Sequence, residues 1–158
     1  MQNNITTECF KIGEFAFKVS VCGDKIRELN FVKPHKLSRA GGENPLIKRL
    51  KQDLKDYISG KDVKFNYKLD LSGYSAFCRS VWKNAQKIPF RHVWSYKKLS
   101  CKIGKNNAFR AVGLALGKNP VIILIPCHRV IKSDGSLGGF SSGIQFKKKL
   151  LKIEGVCK

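Results

Sequence analysis

Apolar and polar positions alternate from Glu14 to Cys22: Phe15, Phe17, Val19 and Val21 interleave with Ala16, Lys18 and Ser20. A period of two predicts a half-buried strand. Gly23-Asp24 then suits a tight turn into a second strand over residues 25–32, so the segment reads as a β-hairpin. Polar residues 33–43 predict a loop. After it the period changes: Asn44 and Pro45 stand as cap and first helical residue ahead of Leu46, Leu50, Leu54 and Ile58 on one helical face. Gly60 closes that helix. Val63, Phe65, Tyr67, Leu69 and Leu71 return to a period of two and predict a third strand. A small α/β domain over residues 1–72 is therefore expected, with Ser72-Gly73 as the link to a second domain over residues 73–158.

The second domain reads as mainly helical. Ser75 caps a helix carrying Phe77, Val81, Ala85 and Ile88, which Pro89 helps to end. Residues 95–103, stopped by Gly104, and residues 107–116 form two short helical segments around a turn, the organisation of a helix-turn-helix. Many helical hairpins share that pattern and bind nothing. Pro120 and Pro126 bracket the apolar run 121–125, expected as a buried strand or extended segment. A Gly-rich loop over residues 133–143 leads into a last helix, with Phe146, Leu150 and Ile153 inward and Lys147, Lys148, Lys149 and Lys152 outward.

Charge changes the picture. Residues 1–75 hold fourteen bases and nine acids, whereas residues 76–158 hold seventeen bases and two acids, a net of +5 against +15. So positive a field draws polyanions, and nucleic acid is the first partner it suggests; an anionic membrane surface or a merely Lys-rich exterior fits the same numbers. The composition, 42% hydrophobic and 27% charged, is that of a globular chain and excludes disorder. No apolar run is long enough to span a bilayer and the first residues lack a signal-peptide pattern, so a cytoplasmic protein is expected. Six cysteines without a CxxC pair read as reduced thiols, and Cys9, Cys22 and His35 are too scattered to predict a metal site.

The chemistry concentrates in Pro126-Cys127-His128-Arg129-Val130, at the end of the apolar run. A thiol attacks as thiolate, which a neighbouring base and positive surroundings promote. Against this stands a buried structural cysteine beside a satisfied histidine. Only Asp134 and Glu154 are acidic after residue 75, and Glu154 falls at a helix end that favours cations. It either orients His128 or pairs with a surface lysine; spacing does not separate the two.

The run Ile125-Pro-Cys-His-Arg-Val130 resembles the active-site signature of the O6-alkylguanine-DNA alkyltransferases, the methylated-DNA–protein-cysteine methyltransferases. Ser95-Tyr96, Arg110-Ala-Val-Gly113, Asn119-Pro120, the Gly-rich loop and residues 150–155 extend the resemblance across the second domain; residues 1–71 resemble the family's variable domain in outline. The resemblance implies an α+β fold: a small ribonuclease-H-like α/β domain, then a mainly helical domain with a winged-helix-like helix-turn-helix. It implies single-turnover transfer of an alkyl group from O6 of guanine in double-stranded DNA to Cys127; a monomer without cofactor is expected. His128 matches the base that reaches the thiol through water, Glu154 the carboxylate behind it, and Asn119 the brace of the turn. Tyr96 matches the residue that turns the nucleotide and hydrogen-bonds guanine, and Arg110 the finger that fills the vacated stack. Val130 through its carbonyl, Ser141 and the ring of Phe140 match contacts to the flipped base, and Ala111 and Arg129 are expected at the DNA side.

Three positions depart from the family pattern. Phe140 replaces a tyrosine, Ser142 a glycine and Phe109 a small residue beside the arginine finger. Two other readings compete: a non-catalytic helix-turn-helix or lesion sensor, which has no need of Cys127 beside His128, and a Cys-His hydrolase, which has no need of a +15 domain.

Overall fold

The computed structural model describes residues 4–37 and 44–157. The chain divides into two compact units, Met1–Ser72 and Gly73–Lys158. It is a mixed α+β protein. Among the described residues no helix is long and apolar enough to cross a membrane.

In the first unit, β1 (Ile5–Ile12), β2 (Phe15–Cys22) and β3 (Lys25–Phe31) form an antiparallel meander, joined at one edge by the two-residue strand β4 (Lys68–Leu69), parallel to β3. The hairpin register is the one the sequence predicts: Cys22 pairs with Lys25, and Gly23 holds φ +59°, open to glycine at little cost. Strand β2 lies between β1 and β3 and is buried on both faces; on one of them Phe17 sits 5.6 Å from Phe10 and 5.2 Å from Phe31, its partners in register.

Helix α1 (Pro45–Ile58) is capped by Asn44, whose Oδ1 accepts from the Leu46 and Ile47 amides. Its buried stripe is Ile47, Leu50, Leu54 and Tyr57; Leu46 and Ile58 lie at its margins, which corrects the predicted face by part of a turn. The third strand is also shorter than its period of two suggests. Phe65 packs edge-on against Tyr57 at 5.7 Å, and Tyr67 donates to Asp53 Oδ2 at 2.5 Å, so α1 takes side chains that the pattern assigned to a sheet. Of the predicted loop over residues 33–43, residues 38–43 lie outside the described residues.

In the second unit, α2 (Ala76–Ala85) starts at Ser75, whose Oγ accepts from the Cys78 amide. Trp82 is fully buried and donates its indole N–H to the Ala115 carbonyl at 2.9 Å, fastening α2 to α4 (Phe109–Gly117). Helix α3 (Tyr96–Lys102) is capped by Ser95 and stopped by Gly104 at φ +73°. The α3–α4 turn is pinned from inside by Ser100, which accepts the Ala108 amide at 3.1 Å and donates to the Lys105 carbonyl. Two short parallel strands, β5 (Trp94–Ser95) and β6 (Val130–Ile131), tie the start of α3 to the chain just past Cys127. Helix α5 (Ile144–Ile153) closes the unit.

Candidate active site

The apolar run before Cys127 is buried throughout but is not a strand. It is a turn: the Ile125 amide donates to the Val121 carbonyl at 3.0 Å and the Leu124 amide to the Ile122 carbonyl at 2.8 Å. Ile123 sits at φ +70°, a conformation that costs a β-branched residue about 1–3 kcal/mol and persists only where its surroundings over-determine it. Asn119 supplies that constraint. Its Oδ1 accepts from the Val121 amide at 2.9 Å, and its Nδ2 donates to the Ile125 carbonyl at 2.8 Å and to Cys127 Sγ at 3.1 Å. One buried side chain thus closes the turn and touches the thiol.

Cys127–Arg129 then make one 3-10 turn that sends consecutive side chains different ways. His128 and Glu154 are wholly buried, and His128 Nε2 meets Glu154 Oε1 at 2.6 Å. Arg129 brackets the same carboxylate with Nε at 3.0–3.1 Å and Nη2 at 3.0 Å, while its Nη1 donates to the Ile88 carbonyl at 2.7 Å. The Arg91 amide adds a bond to Oε2 at 3.2 Å. Burial by itself would raise the Glu154 carboxyl, but hydrogen bonds from His128 and Arg129 and the Arg129 charge hold it at about 2. Glu154 is therefore ionised and only accepts, so Nε2 of His128 carries the hydrogen between them. Burial also pushes the His128 imidazole down, against the pull of Glu154, which keeps it a neutral base.

Burial pushes the Cys127 thiol up; the Asn119 hydrogen bond and the Lys147 charge oppose it. The helical pattern puts Lys147 outward, yet it is fully buried. Its Nζ donates to the carbonyls of Val130 at 2.6 Å, Leu137 and Gly139, and lies 5.7 Å above the Tyr96 ring. Desolvation lowers its ammonium to about 8, with Cys127 acting the other way. A lysine directed at three backbone carbonyls offsets the cost of burial by hydrogen bonding, which a sequence pattern that treats charge as surface does not reveal.

Cys127 opens onto a cavity of about 1040 Å³ within the second unit. Tyr96, Arg110, Phe140 and Ser141 line it, with Phe109 and Leu114 beside them. Gly138 is required at its wall: φ is +71°, and a Cβ there would stand 2.8 Å from the Tyr96 hydroxyl. Burial raises the Tyr96 phenol, which keeps it a donor.

Residues 76–156, just over half the chain, match the family described as 6-O-methylguanine DNA methyltransferase, DNA binding domain. A methylated-DNA–protein-cysteine methyltransferase of Methanosarcina acetivorans is 36% identical over 145 residues, covering 88% of this chain and 92% of its own. The chain belongs to the methylated-DNA–protein-cysteine methyltransferase family. The family member from Methanosarcina barkeri is 48% identical over 103 residues, 65% of each chain. The fold agrees: the crystal structure of the Mycobacterium tuberculosis O6-methylguanine methyltransferase matches with a TM-score of 0.82 at 29% identity, over 96% of this chain and 93% of that one. The same protein in complex with DNA matches with a TM-score of 0.80 at 32% identity, over 95% and 91%.

Of the residues that the family resemblance singled out, the structure brings Asn119, Cys127, His128 and Glu154 into one buried cluster and puts Tyr96, Arg110, Phe140 and Ser141 around the cavity. Ala111 is exposed on α4 but outside the lining. One placement differs from expectation. Arg129 is directed at Glu154 and Ile88 instead of the DNA side, because the buried carboxylate needs its charge. Val130 is buried and its carbonyl already receives Lys147. Among the described residues no group of three or more His, Cys, Asp or Glu is arranged to hold a metal.

Proposed function

We propose that the protein repairs DNA by direct reversal, moving the alkyl group from O6 of an alkylguanine in duplex DNA onto Cys127 Sγ in one irreversible turnover. The observation that carries this reading is a thiol only 6% exposed that opens into a cavity rimmed by basic and aromatic side chains and is backed by the Asn119, His128 and Glu154 cluster.

Guanine O6 lies inside the stack, so the nucleotide has to be extruded, which costs a few kcal/mol. Arg110, exposed at the start of α4, fills the gap, and Ala111 and Gly113 leave room for the helix in the groove. The flipped base enters the cavity, where the Tyr96 hydroxyl donates to its edge and Phe140 and Ser141 flank it. His128 Nδ1 takes the thiol proton through a water, and the Glu154 carboxylate, held in place by Arg129, stabilises the imidazolium that results. Sulfur attacks the alkyl carbon, the S–C bond forms as the C–O6 bond breaks, and guanine leaves as an anion stabilised by the Tyr96 donor. The product thioether has no activated bond for water to cleave, so each molecule reacts once.

The finer fold reading follows the same line. The α3–α4 pair with β5 and β6 fits a winged-helix-like DNA-binding and catalytic domain over residues 73–158. The three-strand meander, helix and parallel strand fit a ribonuclease-H-like domain over residues 1–72. Action as a monomer is supported by one chain supplying the whole cluster, and a reducing cytoplasm by the cysteines being unbridged.

Cys127→Ser tests the reading. Labelled-methyl transfer from O6-methylguanine DNA should vanish while binding in a gel-shift assay persists. Transfer that survives in the variant would move the acceptor to another cysteine.

A further inference from the structure

Helix α4 is apolar on two sides. Val112, Ala115 and Leu116 face the core, yet Phe109 is 46% and Leu114 71% exposed. Scattered surface leucines need no explanation, but these two line the same cavity as Cys127 and Arg110. Around them Lys97, Arg110 and Lys132 line the cavity too, so its rim combines positive charge with a large aromatic face. Phosphate answers the charge. The π-faces of unstacked bases answer the ring.

We infer that Phe109 is a second wedge: with the lesion extruded, its ring stacks on a base bordering the gap that Arg110 enters. The inference rests on the alkyltransferase reading and deepens it. Phe109 is the first residue of α4 and Arg110 the second, both held by the Ser100-pinned turn, so the two side chains reach the duplex as one rigid unit. An aromatic ring stacked on a base stabilises the flipped state by a factor of about ten or more. Arginine alone supplies charge and a thin guanidinium plane; the added ring supplies apolar area that water would otherwise cover.

The test compares single-turnover alkyl transfer by wild type, Phe109→Ala, Phe109→Trp, Leu114→Ala and Arg110→Ala on O6-methylguanine duplex, on the same single strand and on free O6-alkylguanine base. Thermal melts confirm that each variant folds. Phe109→Ala should lower the ratio of duplex to free-base rate about tenfold, in the direction of Arg110→Ala, with a smaller loss on single strand. Phe109→Trp should restore most of that ratio, and Leu114→Ala should leave it closer to wild type. Equal slowing on duplex and free base would overturn the inference, since Phe109 would then be pocket wall. So would equal losses in Phe109→Ala and Leu114→Ala, which would mean general apolar contact. Wild type that takes no alkyl group from any substrate would reject the alkyltransferase reading itself.

Discussion

The two units bury different things. The first fills its core with Phe10, Phe15, Phe17, Ile26, Leu50 and Tyr57 and leaves charge outside, in pairs such as Asp24 with Lys68 and Asp56 with Lys61. Its buried polar residue among those described is Ser20; the second unit buries Ser100, Asn119, His128, Lys147 and Glu154. A domain with only two acids places one of them, Glu154, fully inside. Stability gives no reason for such an arrangement, since buried ion pairs rarely outperform apolar packing. Polar groups kept inside at that cost single out the candidate site, and the first unit's apolar core is the contrast to it.

The comparison is most exposed to failure at Glu154. Glu154→Gln leaves the Arg129 guanidinium without its charge partner, and denaturant unfolding should show a loss of about 3–5 kcal/mol. The pH dependence has a definite sign. A carboxyl held at about 2 in the folded state, below its ordinary 4.5, contributes stability that is present above pH 4.5 and is lost as pH falls toward 2. The variant should lack that acid limb, and a variant with the wild-type limb would assign it to other groups.

Lys147→Met should come next, at about 2–3 kcal/mol, because the carbonyls of Val130, Leu137 and Gly139 lose a shared donor. Wild-type stability in the variant would return Lys147 to the surface role that its sequence suggests. Alkylation of Cys127 should cost less, about 1–2 kcal/mol, since the methyl crowds the Asn119 amide 3.1 Å away while the cavity relieves the other side. Melts of the methylated and unmethylated protein measure it; an unchanged midpoint would mean the cavity accommodates the methyl entirely. At the bottom of the scale, Asp24→Asn should leave the melting midpoint unmoved, because both partners of that pair are exposed. A clear shift would break the contrast from the first unit's side.

Local chemistry was the legible part of this chain. Gly23-Asp24, Asn44-Pro45 and Ser75 each act within three residues, and each turn or cap forms as predicted. The Cys127-His128 pair stood out for the same reason. What sequence reading missed depends on distant partners. Strand β1 buries only Phe10, so it carries no alternation to detect. The run 121–125 is apolar at every position, and periodicity has nothing to say about a turn that Asn119 imposes from outside. Lys147 and Arg129 turn inward because carbonyls and a carboxylate from elsewhere in the unit await them. Glu154 lay in between: its scarcity and its awkward helix-end position were visible, and its partner was not fixed until the fold brought His128 to it.

The central claim is that Cys127 itself is the alkyl acceptor, and intact-mass measurement after incubation with excess O6-methylguanine duplex, followed by peptide mapping, tests it most directly. The account predicts a gain of one methyl group in place of the thiol hydrogen, located on the peptide that contains Cys127, with no second gain however long the incubation. An unchanged protein mass with demethylated DNA would mean turnover without a protein acceptor, and a methyl group on Cys78, Cys101 or Cys157 would place the reaction elsewhere; either result would contradict it.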